Sequence, residues 1–266
     1  MKNVRKTISM VLLYILIYEI SRIIIGFTEG VLIEISGKNF TLYKDYIYIR
    51  FILAAILAGT LYLLTCKKRK IDLYKICNFK KVAAGKIILL IILGFGIRVT
   101  LLSLLTYFYD LDILSEYFTK LMSTKPLISH GSYFLYLLAI GVIVPFIEEI
   151  IFRGLIFNEL EKSFKTHWVI VIQAILFSLV HLQPIKMIYT FLFGMLLGIS
   201  YVLIKSILAP IIIHIVFNSS NHLIEVIISL DLINNNIILF QILNLLIVIV
   251  IYAYFYKKNI ADSELW

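Results

Sequence analysis

The stretch VIVPFIEEIIFRGLIF (Val142–Phe157) decides how the whole chain is read. It is apolar enough to cross a bilayer, yet it carries Glu148, Glu149 and Arg153 near its middle. An ionisable group at bilayer depth costs about 2.5–3.5 kcal/mol on insertion scales, so the three together need partners. Part of the answer is local. Glu149 and Arg153 stand at i,i+4, the spacing at which an acid and a base meet on one helical face. Glu148 lies about 100° further round, and its own i+4 position is Phe152, so the local pairing leaves this carboxylate over.

Outward from this stretch, the chain continues in the same apolar key. Of its 266 residues 61% are hydrophobic and only 15% charged. That balance, with long uncharged runs, excludes an ordinary soluble domain and points to an all-α polytopic membrane protein. Windows of 18 or more apolar residues give about eight transmembrane helices, near 8–28, 46–65, 84–108, 131–157, 167–183, 187–204, 207–229 and 237–256. The first lacks a small-residue cleavage site and reads as a retained helix. The chain reads as a single integral-membrane domain over 1–266, with no low-complexity segment. The segment 109–126 alternates acidic and apolar residues and suits an amphipathic helix on the outer surface.

Charge orients the helices. With the N-terminus and C-terminus both cytoplasmic, 17 of the 25 Lys and Arg residues fall in or beside cytoplasmic segments, as the positive-inside rule requires. The run CKKRKIDLYKICNFKK (Cys66–Lys81) is the strongest anchor. The net charge of +9 is thus explained by orientation and anionic lipid, and no nucleic-acid partner is expected. Cys66 and Cys77 both fall in that basic loop, where they stay reduced; their spacing is not that of a metal or redox pair.

Two further spans carry polar residues at helical spacing. AILFSLVHLQP (Ala174–Pro184) sets Phe177 and His181 at i,i+4, and APIIIHIVFNSSNH (Ala209–His222) does the same for His214 and Asn218. Three of the four prolines in the chain, Pro145, Pro184 and Pro210, flank these residues. A proline removes a helix N–H, which is tolerated where water or protein satisfies the freed carbonyl, so a hydrated pocket is expected. A Glu in a partly dry cavity is suited to take a proton from water, and a His with an Asn can donate to a developing oxyanion. Such a set can hydrolyse an amide without a covalent intermediate. No nucleophilic serine is indicated, since Gly198–Ser200 lacks a following glycine, and no HExxH is present. Glu148, His181 and His214 form a candidate set for a divalent metal such as Zn, with water in the open position, but without the usual short-spaced ligand pair no firm cofactor is assigned.

EEIIFR (Glu148–Arg153), FSLVH (Phe177–His181) and HIVFN (His214–Asn218) resemble, in order, the EExxxR, FxxxH and HxxxN motifs of the CAAX protease and bacteriocin-processing family. These are intramembrane endopeptidases of glutamate type, also described as metalloproteases. The resemblance covers about 131–222, the expected catalytic core. It implies that Glu148 activates water with His181, that His214 and Asn218 stabilise the oxyanion, that Glu149 and Arg153 support the site, and that Phe177 packs against it. The substrate implied is a membrane-associated peptide or protein.

The family includes bacteriocin self-immunity proteins and non-proteolytic regulators, so a regulator of the same fold is the first alternative. A transporter using buried Glu, His and Arg as an ion relay is the second; no inverted repeat supports it. The Ile-, Lys- and Asn-rich composition suits an AT-rich genome and a prokaryotic cell membrane. Among the remaining polar residues, Glu19 and Arg22 stand at i,i+3 and are expected to neutralise each other. Arg98 is expected to meet a carboxylate or to snorkel. His130, His167 and His222 are expected at helix ends. The GxxxG pair Gly194/Gly198 is expected to bring the sixth span close to a neighbour.

Overall fold

The computed structural model describes residues 4–37, 45–110, 132–221 and 237–260. The regular elements among the described residues are all helices, in the order α1 (Val4–Ser36), α2 (Tyr46–Lys68), the one-turn α3 (Leu73–Ile76), α4 (Ala84–Asp110), α5 (Tyr133–Glu161), α6 (Thr166–Leu179), α7 (Pro184–Ile204), α8 (Leu208–Ser219) and α9 (Ile237–Ile260). Among them α1, α2, α4, α5, α7 and α9 are long and apolar enough to cross a membrane. Large apolar side chains such as Ile23, Phe27, Leu63 and Val250 are exposed on these helices. Hydrocarbon around them removes the cost that water would impose. The protein is an all-α, polytopic integral membrane protein.

Two segments differ from the sequence expectation. Those read as the fifth and seventh spans contain α6 and α8, helices of only 14 and 12 residues. The cause at the first is Pro184. It takes the first helical position of α7, where its missing N–H costs nothing, and forces Gln183 into the extended region. The chain therefore leaves α6 at Leu179 and turns through Leu182, at φ +57°. The amphipathic reading of 109–126 extends beyond Asp110 into residues outside the described ones, as do His130, His222 and the remainder of 207–229.

Contacts divide the helices into two compact units, residues 1–77 with 119–165 and residues 78–118 with 166–266. The first unit holds α1, α2, α3 and α5. Tyr62 on α2 donates to the Tyr14 carbonyl of α1 at 2.6 Å, and Thr7 meets Ser163, just past α5, at 2.9 Å. Tyr48 and Tyr136 join α2 to α5 edge to face, with centroids 6.0 Å apart. Asn158 on α5 donates to the Ile76 carbonyl at 2.9 Å, fastening the basic loop. In that loop Cys77 is buried, and desolvation followed by the neighbouring Cys66 pushes its thiol up to about 12.

The second unit holds α4 and α6–α9. Here close approach depends on glycine. A Cβ on Gly94 would lie 2.8 Å from the Ile213 carbonyl oxygen of α8. One on Gly194 would lie 3.2 Å from the Cα of Ala174, and one on Gly198 would lie 2.6 Å from Gln173 Nε2. The GxxxG pair of α7 thus seats that helix on α6. Asn244 on α9 donates to the Gly96 carbonyl at 2.8 Å and to Thr100 at 2.9 Å.

Candidate catalytic residues

The first unit carries Glu148, Glu149 and Arg153 on α5. This helix is not regular: π-helical turns occupy Leu137–Ile143 and Ile150–Ile156, either side of the segment Val144–Glu149. The first ends just before Pro145, which offers no N–H, and the second begins directly after the two carboxylates. Widened turns of this kind shift the helical phase and recur where side chains are re-aimed. The Glu149–Arg153 pair survives the change. Arg153 Nη1 donates to Glu149 Oε1 at 2.9 Å, with both side chains 0% exposed. A fully desolvated guanidinium keeps its charge, so the carboxylate one turn away is what makes its burial tolerable.

Glu148 is also buried, at 6% exposure. The residue that meets it could not be found from spacing. Tyr18, on α1, donates its phenol to Glu148 Oε1 at 2.6 Å. Glu19 and Arg22, on the same helix, pair at 3.0 Å, as the i,i+3 spacing predicts. Arg22 also lies over the Tyr18 ring, 5.6 Å from its centroid.

The second unit carries Phe177, His181, His214 and Asn218. His181 is not on a helical face, since α6 has ended at Leu179. It sits in the turn before Pro184, with its backbone N–H on the Ser178 carbonyl at 3.1 Å. Its Nδ1 contacts the Phe177 carbonyl oxygen at 2.8 Å. A carbonyl oxygen only accepts, so Nδ1 carries the hydrogen and the lone pair of the neutral ring is on Nε2. His214 and Asn218 share α8; the first is buried and the second half-buried.

The two histidines are joined through one ring. Phe177 meets His181 at 5.1 Å and His214 at 5.9 Å between centroids, edge to face in both cases. Phe193 of α7 adds a second wall, 5.0 Å from His214 and stacked on Phe217 at 4.0 Å. These apolar walls restrict the imidazole of His214 to a narrow range of orientations. Phe193 and Phe217 were not singled out in the sequence; the only signal was their aromatic character on helices that carry or adjoin a motif. Arg98 donates to Asn221 and lies over Phe217 at 5.1 Å, so its charge is met by an amide and a ring face.

Among the described residues, no three His, Cys, Asp or Glu side chains gather as a metal ion requires. The candidate set Glu148, His181 and His214 is divided between the two units, the first residue in one and the two histidines in the other.

The fold and these buried polar groups define the class: a polytopic membrane protein with a carboxylate–guanidinium pair and an aromatic-walled histidine pair inside its helical units. Residues 130–220, about a third of the chain, match the family model of the type II CAAX prenyl endopeptidase Rce1-like proteins. The matched stretch carries all three sequence motifs, and the family it resembles is one of proteases. No curated protein and no solved structure is matched.

Proposed function

We propose that the protein is an intramembrane endopeptidase that hydrolyses a peptide bond of a membrane-associated substrate with water activated by Glu148. The observation that carries this reading is a second buried carboxylate beside one already neutralised. Glu149 is hydrogen-bonded to Arg153 at 2.9 Å, while Glu148, within the field of the same guanidinium, accepts from the Tyr18 phenol at 2.6 Å. In this scheme Glu148 takes a proton from water, assisted by the lone pair on His181 Nε2. The hydroxide oxygen adds to the scissile carbonyl carbon, and the resulting oxyanion accepts hydrogen bonds from His214 and the Asn218 amide. Glu148 then returns the proton to the departing amine as the C–N bond breaks. The match of one family model across all three motifs supports assigning these residues to one reaction.

The test is a comparison of wild type, Glu148→Ala and His181→Ala in membranes, by quantitative mass spectrometry of newly formed peptide termini. Termini that appear in wild type and vanish in both variants support the proposal. Identical terminus profiles in all three refute it and favour a non-proteolytic regulator.

We propose further that about eight segments cross the bilayer, with both chain ends and the basic Lys67–Lys81 loop cytoplasmic. Single cysteines placed in that loop, in a cysteine-free background, should react with a membrane-impermeant maleimide only after the membrane is opened. Labelling of intact cells would reverse the orientation.

A further inference from the structure

We infer that Tyr18 is the positioning residue for the Glu148 carboxylate, so that the first helix supplies a working part of the site. The inference rests on the protease reading above. It adds a residue that lies outside the matched segment 130–220.

The 2.6 Å separation between the phenol and Glu148 Oε1 is within the range of about 2.5–2.7 Å for a hydroxyl donated to a carboxylate. Both side chains are buried, Tyr18 at 9% exposure and Glu148 at 6%. Water therefore competes poorly for the bond. A glutamate has three rotatable side-chain bonds; an acceptor oxygen pinned by a rigid ring loses most of that freedom before substrate arrives.

The ring is itself aimed by its surroundings. Arg22 lies over its face, 5.6 Å from the centroid; a cation there draws electron density from the ring and strengthens the O–H dipole toward the carboxylate. Arg22 is in turn held by Glu19 at 3.0 Å, so it remains beside the ring. Along the same helix, Tyr62 holds the Tyr14 carbonyl one turn earlier at 2.6 Å, and Thr7 fastens the cytoplasmic end to Ser163 at 2.9 Å. The helix is thereby tied to α2 and to the end of α5 independently of the Tyr18 bond. Loss of the phenol oxygen should loosen the carboxylate and leave the helix in place.

Full-length Tyr18→Phe is compared with wild type, Tyr62→Phe and Glu148→Gln in detergent. The first readout is the infrared carboxylate stretch of protein labelled with carbon-13 glutamate, assigned to Glu148 by its absence in Glu148→Gln. The second is the initial rate of terminus formation in a solubilised membrane proteome. Tyr18→Phe should shift the Glu148 band and slow terminus formation about 10- to 100-fold, the cost typical of removing an orienting partner. Tyr62→Phe should leave the band unmoved and the rate within about twofold, which separates aiming of the carboxylate from support of the helix. An unmoved band in Tyr18→Phe overturns the inference, and so does a moved band with an unchanged rate. A wild type no faster than Glu148→Gln overturns the protease reading itself, and the positioning role with it. The band measurement needs no substrate, so the two failures are told apart.

Discussion

Replacing Glu149 with Gln should cost the protein far more stability than replacing Glu148 with Gln, although the two residues are adjacent and both buried. Glu149→Gln removes the hydrogen-bonded counter-charge of Arg153, the larger of the two carboxylate fields it feels, in a place where the guanidinium is 0% exposed. Arginine does not escape by losing its proton. Removing one partner of a buried pair costs about 3–5 kcal/mol, most of it the penalty of the charge left behind. Glu148→Gln leaves an amide oxygen, and the hydrogen bond at stake there comes from the neutral phenol of Tyr18 at 2.6 Å. The expected loss is that of weakening one hydrogen bond, about 0.5–1.5 kcal/mol. At about 2–4 °C per kcal/mol for a protein of this size class, the two variants should differ in Tm on the order of 10 °C. The assay is thermal unfolding in detergent, followed by loss of the monodisperse peak on size exclusion. The double variant Glu149→Gln/Arg153→Met removes the stranded charge with an apolar side chain and should recover most of the loss, which a double-mutant cycle quantifies. Equal Tm values for the two single variants, or no recovery in the double variant, would refute the pairing argument.

Two further outcomes follow from packing and burial. Gly94→Ala places a Cβ 2.8 Å from a backbone oxygen of α8; it should destabilise by about 1–3 kcal/mol and reduce cleavage, because α8 carries His214 and Asn218. Gly85→Ala, with open space at its Cβ, should instead stabilise slightly, by about 0.4–1 kcal/mol; thermal melts of both variants check the contrast. Cys77 is raised from its ordinary 9.0 to about 12 by burial, so its unfolded thiol ionises first as pH rises. Its contribution is complete below about pH 9 and declines toward pH 12, and wild type should lose more stability than Cys77→Ala between pH 8 and about pH 10.5, read by denaturant melts. Parallel losses in the two proteins would remove that assignment.

Much of this protein is local, and local features are legible in a sequence. The apolar runs of α1, α2, α4, α5, α7 and α9 declare themselves by length and hydropathy, because a bilayer demands some 20 apolar residues from each crossing helix. The Glu149–Arg153 and Glu19–Arg22 pairs follow from helical spacing alone, and the Gly194/Gly198 pair from the need of two backbones to approach. The turn at His181, in contrast, reads as helix in the sequence, although Pro184 constrains the residue before it to leave the helical region.

What the sequence left undecided concerns residues far apart along the chain. Tyr18 and Glu148 are 130 positions apart, and no window or periodicity links them; only the packing of α1 on α5 brings a phenol to the carboxylate that spacing had left over. In the same way Phe193 became a wall for His214 only because α7 and α8 pack together in the second unit. The π-helical turns around Val144–Glu149 also escaped the pattern, because hydropathy is almost blind to one added residue per turn. The sequence by itself determined which groups are placed in an apolar helix at a cost. The tertiary structure decided which neighbours meet that cost, because the partner of a buried polar group is set by packing in space and not by distance along the chain.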